Sequence, residues 1–127
     1  MTRVLVVDDS SDFRGVVCAW VDSRPGLEVV ATAGNGLEAI VATEQSHPDL
    51  VLMDALMPEM DGFESTRRIK AGVDAPLIAV LTLHDSAAMR RASEQAGADG
   101  FIAKGEFTLA LPRLLETLFG DPDEETR

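Results

Sequence analysis

Residues 49–54 read Asp-Leu-Val-Leu-Met-Asp, a run of four apolar side chains between two acids. An uninterrupted apolar run of this length is typical of a strand that is buried on both faces of a sheet. The N-terminal stretch repeats the design, because Val4 to Val7 form a second apolar run that is followed by Asp8 and Asp9. Two such strands indicate a parallel sheet with helices packed on both of its faces.

Five strand-like runs alternate with five helix-like stretches over most of the chain. The predicted strands are Val4–Val7, Leu27–Ala33, Asp49–Asp54, Pro76–Leu81 with Thr82 at its end, and Gly100–Ala103. The predicted helices contain Phe13 to Val21, begin at Leu37 and stop before His47, lie within Glu59 to Lys70, and span Asp85–Ala96 and Thr108–Phe119. Strands that alternate with helices of about three turns predict one α/β domain with a parallel sheet. We place that domain at residues 1–120 and an acidic tail at 121–127.

The first helix has a clear apolar pattern. One predicted face carries Phe13, Val16, Val17, Trp20 and Val21, at the i, i+3, i+4, i+7, i+8 spacing. Ser10 or Ser11 would cap the N-terminus of this helix, and Pro25-Gly26 would end the segment.

The chain is strongly acidic, with 22 Asp and Glu against 11 Lys and Arg and a formal net charge of −11. Because nucleic-acid affinity depends mainly on basic contacts to phosphate, this balance opposes direct binding of this chain to DNA or RNA. No apolar run approaches the roughly 20 residues of a membrane span, and the N-terminus lacks a signal-peptide pattern, so we expect a cytoplasmic location. The single cysteine, Cys18, excludes an internal disulfide, and the distant His47 and His84 oppose a zinc site.

The ends of the predicted strands carry the chemistry-bearing side chains. In an open α/β sheet, ligands bind beyond the carboxyl ends of the strands. Four of the five strands end on Asp8-Asp9, on Asp54, on Thr82 and on Lys104. Taken singly, each such residue is more often a turn residue, a cap or a solvated charge. Their convergence at one edge of the sheet favours a shared site.

Three carboxylates at one site repel one another, and a hard divalent cation such as Mg²⁺ relieves that repulsion. With Lys104 and Mg²⁺ included, the formal charges of Asp8, Asp9 and Asp54 are balanced. A balanced site can accept a phosphoryl group, whereas the metal-free site would repel a phosphate donor.

Four motifs resemble the receiver domain of two-component response regulators, especially receivers joined to LuxR-type DNA-binding domains. They are Asp8-Asp9-Ser10, the Asp-Ala-Leu-Met-Pro-Glu-Met-Asp-Gly run at 54–62, Leu81-Thr82-Leu83-His84-Asp85, and the Gly-Ala-Asp-Gly-Phe-Ile-Ala-Lys run at 97–104. The resemblance extends from Arg3 to Phe119. It implies a flavodoxin-like (βα)5 domain, doubly wound, with a five-stranded parallel sheet in the order 2-1-3-4-5.

The resemblance also implies roles for the site residues. Asp54 is the phosphoacceptor, and Mg²⁺ is held by Asp9, by Asp54, by the backbone carbonyl of Leu56 and, through water, by Asp8. Lys104 pairs with one phosphoryl oxygen and the Thr82 hydroxyl reaches another. Backbone N–H groups of Ala55 and Leu83 are the expected remaining donors.

A phosphorylation switch follows from the same resemblance. Thr82 would move toward the phosphoryl group, and Phe101 would fill the space that Thr82 leaves. The fourth helix has a thin apolar face, so we expect the surface of the fourth helix, fifth strand and fifth helix to change. The expected partners are a histidine kinase or phosphotransfer protein, an output domain or downstream protein, and a second copy in a phosphorylation-dependent dimer. Gly105 follows Lys104 where relatives often carry proline, which leaves the geometry of that peptide open.

We expect such a switch not to be an enzyme. The main alternative is a Mg²⁺-dependent phosphohydrolase with an aspartyl-phosphate intermediate, although those enzymes commonly use an Asp-x-Asp pair and Asp8-Asp9 are adjacent. A flavin-binding domain of the same architecture would need a Ser/Thr/Gly-rich loop where this chain has acids. A receiver without phosphorylation chemistry is opposed by the full residue set.

Overall fold

A computed structural model describes residues 1–120, and the predicted acidic tail at 121–127 lies outside the described residues. The sheet contains five parallel strands in the order β2-β1-β3-β4-β5. The strands are β1 (Thr2–Val7), β2 (Leu27–Ala33), β3 (Leu50–Asp54), β4 (Leu77–Thr82) and β5 (Gly100–Ala103). The helices are α1 (Ser11–Asp22), α2 (Gly36–Ser46), α3 (Gly62–Lys70), α4 (Ala87–Gln95) and α5 (Phe107–Phe119), with a 3₁₀ turn at Lys104–Glu106. The predicted fold class and strand order are confirmed.

Polar side chains fix where four of the helices begin. Each cap accepts a hydrogen bond from the backbone N–H three residues on, which satisfies a donor that the helix itself leaves free. The caps are Ser10 for α1, Asn35 for α2, Asp61 for α3 and Ser86 for α4. Helix α3 lies within the predicted range Glu59 to Lys70, whereas the prediction for α4 began two residues too early, because Ser86 is the cap that sets its start.

Two apolar layers enclose the sheet. Helices α1 and α5 cover one face, where Val17 and Leu111 are buried, and α2 and α3 cover the other, where Ala39 and Ile69 are buried. The prediction that Val16 belongs to the buried face of α1 is wrong, since its side chain is 54 % exposed. The buried residues of α1 are Val17 and Val21, one turn apart.

Helix α4 is held to the sheet by few buried side chains. Within this helix, which the structure describes completely, Ser93 is the buried residue. The expectation of a weakly anchored fourth helix is confirmed. The peptide between Lys104 and Gly105 is trans, as are all peptides in the described range.

No helix in residues 1–120 is both long enough and apolar enough to cross a membrane.

Gly62 offers a direct test of how the loop after β3 is packed. A Cβ at this position would lie 2.0 Å from the carbonyl oxygen of Asp54, and the Gly62 N–H donates to the Ala55 carbonyl at 2.8 Å. Since the clash is with backbone, we expect Gly62→Ala to lower the free energy of unfolding by about 2–3 kcal/mol. Urea denaturation measures the change.

Gly15 provides the matched control for Gly62. It lies inside α1, and a Cβ there would meet no atom within 4 Å apart from its chain neighbours and the backbone of its own helix. Gly15→Ala should therefore raise the free energy of unfolding by roughly 0.5–1 kcal/mol, through helix propensity alone. A neutral or stabilising Gly62→Ala would contradict the packing described here.

Candidate functional site

Three acids lie together at the carboxyl edge of the sheet. Asp8 and Asp9 directly follow β1, and Asp54 is the last residue of β3, the strand that pairs with β1. One carboxylate oxygen from each residue falls within 4.8 Å of the others. Asp8 and Asp54 are buried, whereas Asp9 is exposed. The predicted convergence of Asp8, Asp9 and Asp54 is present in the fold.

Lys104 joins this acidic cluster from the end of β5. Its Nζ lies 2.8 Å from Oδ2 of Asp8 and 3.1 Å from Oδ1 of Asp54. The side chain is only 8 % exposed, and its ammonium lies 4.7 Å from the ring centroid of Phe13 on α1. Lys104 therefore bridges two of the three acids inside the protein, where such contacts are stronger than at the surface.

The oxygens of Asp8 already have partners in the protein. Its Oδ1 accepts the N–H of Ser10 at 2.9 Å, its Oδ2 binds Lys104, and its backbone carbonyl accepts Nη1 of Arg14 at 2.6 Å. These contacts fix the orientation of Asp8. Of the three carboxylates, that of Asp9 is the exposed one and therefore the most accessible as a ligand.

The electrostatics of the cluster appear in two shifted pKa values. Burial, and next the negative charge of Asp8, raise the pKa of Asp54 to about 7, against an ordinary value of 3.8, although Lys104 partly offsets the rise. Burial alone would lower the pKa of Lys104, but its hydrogen bonds to Asp8 and Asp54 raise it above the ordinary value. The ammonium therefore stays charged, and Asp54 gives up its proton only near neutral pH.

The donor set fits a small divalent cation. Three carboxylates and one ammonium leave two formal negative charges, which a divalent ion balances. Oxygens on opposite sides of Mg²⁺ lie about 4.2 Å apart, so the 4.8 Å span of the cluster needs only a small closure. Hard carboxylate oxygens are the ligands that Mg²⁺ prefers.

The remaining predicted site residues are only partly arranged as expected. Thr82 is buried at the end of β4, and its hydroxyl accepts the N–H of His84 at 3.0 Å. The N–H of Ala55 donates to the Leu81 carbonyl at 2.9 Å, so the expectation of a free donor there is wrong. The side chains of Leu56 and Leu83 are exposed, and Phe101 on β5 is half-buried.

The sequence reasoning missed three contributors to the site, namely Ser10 N–H, the Phe13 ring and the Arg14 guanidinium. All three lie within the first turn of α1 or at its cap. Phe13 was assigned to core packing, and its contact with Lys104 joins elements that are far apart in sequence. A signal was nevertheless present, because a helix that begins directly after Asp8-Asp9 must place its first turn beside those acids.

The comparisons with known proteins agree on one family. The family model for the response regulator receiver domain matches residues 4–117. Among solved structures, the response regulator domain of Thermotoga maritima CheB is 33 % identical, with a TM-score of 0.81 and 92 % of each chain covered. The receiver domain of the putative response regulator NarL from Mycobacterium tuberculosis is 28 % identical, with a TM-score of 0.86, covering 94 % of this chain and 98 % of that one.

A curated relative corrects one prediction. The protein-glutamate methylesterase/protein-glutamine glutaminase of Nocardioides sp. is 45 % identical over 104 residues, which is 80 % of this chain and 28 % of that protein. The expectation that the protein is not an enzyme is wrong, since relatives of this kind are named as enzymes. The chain spans about 28 % of the relative's length. The site chemistry of this stretch therefore gives no information about the activity of the remainder of such a protein.

With its motifs, its strand order and the family match in agreement, this chain belongs to the response regulator receiver domains of two-component signalling.

Proposed function

We propose that this receiver domain switches when Asp54 accepts a phosphoryl group from the phosphohistidine of a kinase or phosphotransfer protein. The single observation that carries the proposal is the position of Asp54, at the carboxyl edge of the sheet, beside two further acids and in contact with buried Lys104. Phosphoryl transfer needs positioned groups and charge neutralisation more than covalent assistance from the protein. This arrangement supplies both.

The transfer follows from the chemistry of the two partners. A carboxylate oxygen of Asp54 attacks the phosphorus of the donor phosphohistidine, and a P–O bond forms as the P–N bond breaks. The electron pair of that P–N bond stays on the imidazole nitrogen, which takes up a proton. Lys104, held at 3.1 Å from Asp54, is placed to neutralise an oxygen of the transferred group. Near pH 7 and above, Asp54 is increasingly in the carboxylate form that this attack requires.

Mg²⁺ is the proposed cofactor. Asp9 and Asp54 would bind it directly, Asp8 would contribute through water, and the Leu56 carbonyl would complete the protein's share. When bound, the ion supplies positive charge that offsets the acids and the incoming phosphoryl oxygens. The indirect role of Asp8 is supported by its hydrogen bonds. One of its carboxylate oxygens already accepts from the Ser10 N–H and the other from Lys104.

The proposed signal leaves through Thr82 and Phe101. The Thr82 hydroxyl would exchange its bond with His84 for one with the phosphoryl group, and Phe101 would move into the space behind it. The surface that changes is formed by α4, β5 and α5, and it would meet an output domain, a downstream protein or a second copy. A cytoplasmic location, the absence of direct nucleic-acid binding, and the domain limits 1–120 stay predictions.

An enzymatic output domain is a second proposal, and it rests on the 45 % identity to a protein-glutamate methylesterase/protein-glutamine glutaminase. In this proposal the receiver regulates a methylesterase or glutaminase domain of the same protein. The phosphohydrolase alternative is not better supported, since the family model that matches describes a receiver domain.

Phosphorylation is tested by intact mass. Incubation with a phosphorylated histidine phosphotransfer protein and Mg²⁺ should add one phosphoryl group, because Asp54 is the proposed acceptor. Asp54→Ala should add none, and a chelator should prevent the gain. Asp49→Ala is the matched control, since Asp49 is an acid at the opposite end of β3 that binds the Arg3 N–H. Labelling of Asp54→Ala at the wild-type rate would contradict the proposal.

The raised pKa of Asp54 predicts a pH-dependent stability without metal. The folded protein holds the Asp54 proton more tightly than the unfolded chain, so this stabilisation is complete below about pH 4 and is lost as pH rises through about 7. Asp54→Asn keeps the shape without the charge. We expect it to exceed the wild type in unfolding free energy by about 2–4 kcal/mol at high pH, given about 1.4 kcal/mol per pKa unit.

Urea denaturation at about pH 5 and about pH 8, with chelator, measures this effect. The gap between Asp54→Asn and wild type should be clearly smaller at the lower pH, and at the higher pH it should shrink when excess Mg²⁺ is added. An equal gap at both pH values would show that charge on Asp54 does not strain the fold.

The enzymatic output is tested by domain replacement. This chain, in place of the matching segment of the Nocardioides enzyme, should make hydrolysis of protein glutamate methyl esters respond to a phosphodonor. The same chimera with Asp54→Ala is the control. If the phosphodonor stimulates hydrolysis equally in the chimera and in its Asp54→Ala variant, this output is not supported.

A further inference from the structure

Arg90 on α4 makes two contacts that join separate parts of the proposed switch. Its Nε and Nη2 lie 2.7 and 2.8 Å from the two carboxylate oxygens of Asp85, a bidentate pair. Its guanidinium carbon lies 4.8 Å from the ring centroid of Phe101 on β5. The guanidinium thus binds a carboxylate with its edge while it contacts an aromatic ring, two modes that arginine combines because it is planar.

The carboxylate partner belongs to the loop that leads away from Thr82. Asp85 lies three residues after Thr82, between β4 and α4, and in the same loop the His84 N–H donates to the Thr82 hydroxyl at 3.0 Å. The aromatic partner, Phe101, pairs in register with Val80 of β4. Arg90 therefore holds the loop and the ring against the same helix.

We propose that Arg90 is a positioning residue that stabilises the resting state of the switch. The inference rests on the proposed function, because it assumes that Thr82 and Phe101 move when Asp54 is phosphorylated. If Thr82 turns toward the phosphoryl group, the bond to His84 breaks and the loop that carries Asp85 shifts. If the ring of Phe101 moves inward, it leaves the guanidinium. Both contacts of Arg90 therefore favour the arrangement without phosphate.

The position of Arg90 makes such a bias effective. Helix α4 has little buried surface of its own, so a pair of contacts at its exposed side is a large part of what orients it. Exposed ion pairs and cation–π contacts are individually weak, and together they predict a shift of roughly two- to five-fold in the ratio of resting to active-like forms. A bias of this size can be overcome by phosphorylation.

Amide NMR chemical shifts test the proposal in the full chain. The wild type with beryllofluoride and Mg²⁺, a mimic of the phosphorylated site, defines the active-like positions of Thr82, His84 and Ile102. In Arg90→Ala without the mimic, these amides should move along the line from resting toward active-like positions. Arg90→Lys keeps a cation near the ring but loses the bidentate pair, so its displacement should be intermediate.

Arg91→Ala is the matched control, because Arg91 is the next residue on the same helix, is exposed, and has the same charge. It should leave the resting positions unchanged. Asp85→Asn removes the ion pair from the other side and should move the amides in the same direction as Arg90→Ala. Thermal unfolding of each variant distinguishes a shifted equilibrium from a loss of structure. If Arg90→Ala is unfolded, the result for Asp85→Asn decides the test.

Three results would overturn the proposal. In the first, the wild type responds to the mimic, but the resting spectra of Arg90→Ala and Asp85→Asn superimpose on that of the wild type. The role of Arg90 would then be excluded, and the proposed function would stand. An equal displacement in Arg91→Ala would show a general effect of helix charge. A wild type whose amides do not respond to beryllofluoride and Mg²⁺ would overturn the proposed function, and the Arg90 inference with it.

Discussion

The buried contact of Lys104 with Asp8 and Asp54 is the interaction on which the rest of the site depends. Buried carboxylates are costly unless they are paired. The fold brings two of them into contact with one ammonium and places the exposed Asp9 beside them. The ammonium offsets one charge and leaves two. Burial is the main cause of the raised pKa of Asp54, and the negative charge of Asp8 comes next, so part of the rise reflects this charge imbalance. A divalent ion relieves it, which links metal binding to the same acids that face the phosphoryl donor.

The backbone around the acidic cluster has more fixed contacts on the side of α2 and α3 than on the side of α4. On the side of α2 and α3, the Ser65 hydroxyl donates to the Gly36 carbonyl at 2.8 Å and the Gly36 N–H donates to the Met60 carbonyl at 3.1 Å. Gly62 packs against the Asp54 carbonyl so closely that no side chain fits. On the side of α4, the loop after Thr82 is exposed and anchored by side-chain contacts. The acids thus have a fixed support, while the residues that respond to phosphate lie where few contacts must change.

Much of this arrangement could be predicted from the sequence, because a parallel sheet brings the ends of its strands to one edge. Asp8, Asp54 and Lys104 each follow an apolar run, so this rule alone predicts that they lie together. Local periodicity did not separate Val16 from Val17, since neighbouring apolar residues on a helix fit the same pattern while only one faces the sheet. The Ala55 N–H could not be assigned either, because its bond to Leu81 depends on how far the pairing of β3 and β4 extends.

Contacts between side chains of different elements were beyond the reach of pattern reasoning. The ring of Phe13 beside Lys104 and the guanidinium of Arg90 beside Phe101 depend on rotamers and on helix orientation. Spacing along one element carries no information about either.

The chemistry of the site and the identity of its output are specified by different residues. Solved neighbours of this fold include domains of CheB and NarL, and curated relatives include methylesterases of which the matched segment is about 28 %. A shared receiver fold therefore serves proteins with different names. The acids and Lys104 form the cluster at the carboxyl edge of the sheet, whereas Leu109 on α5 is an exposed apolar residue that has no part in that cluster. Exposed residues outside this cluster are not constrained by its chemistry, so we expect residues that are specific to one output among them.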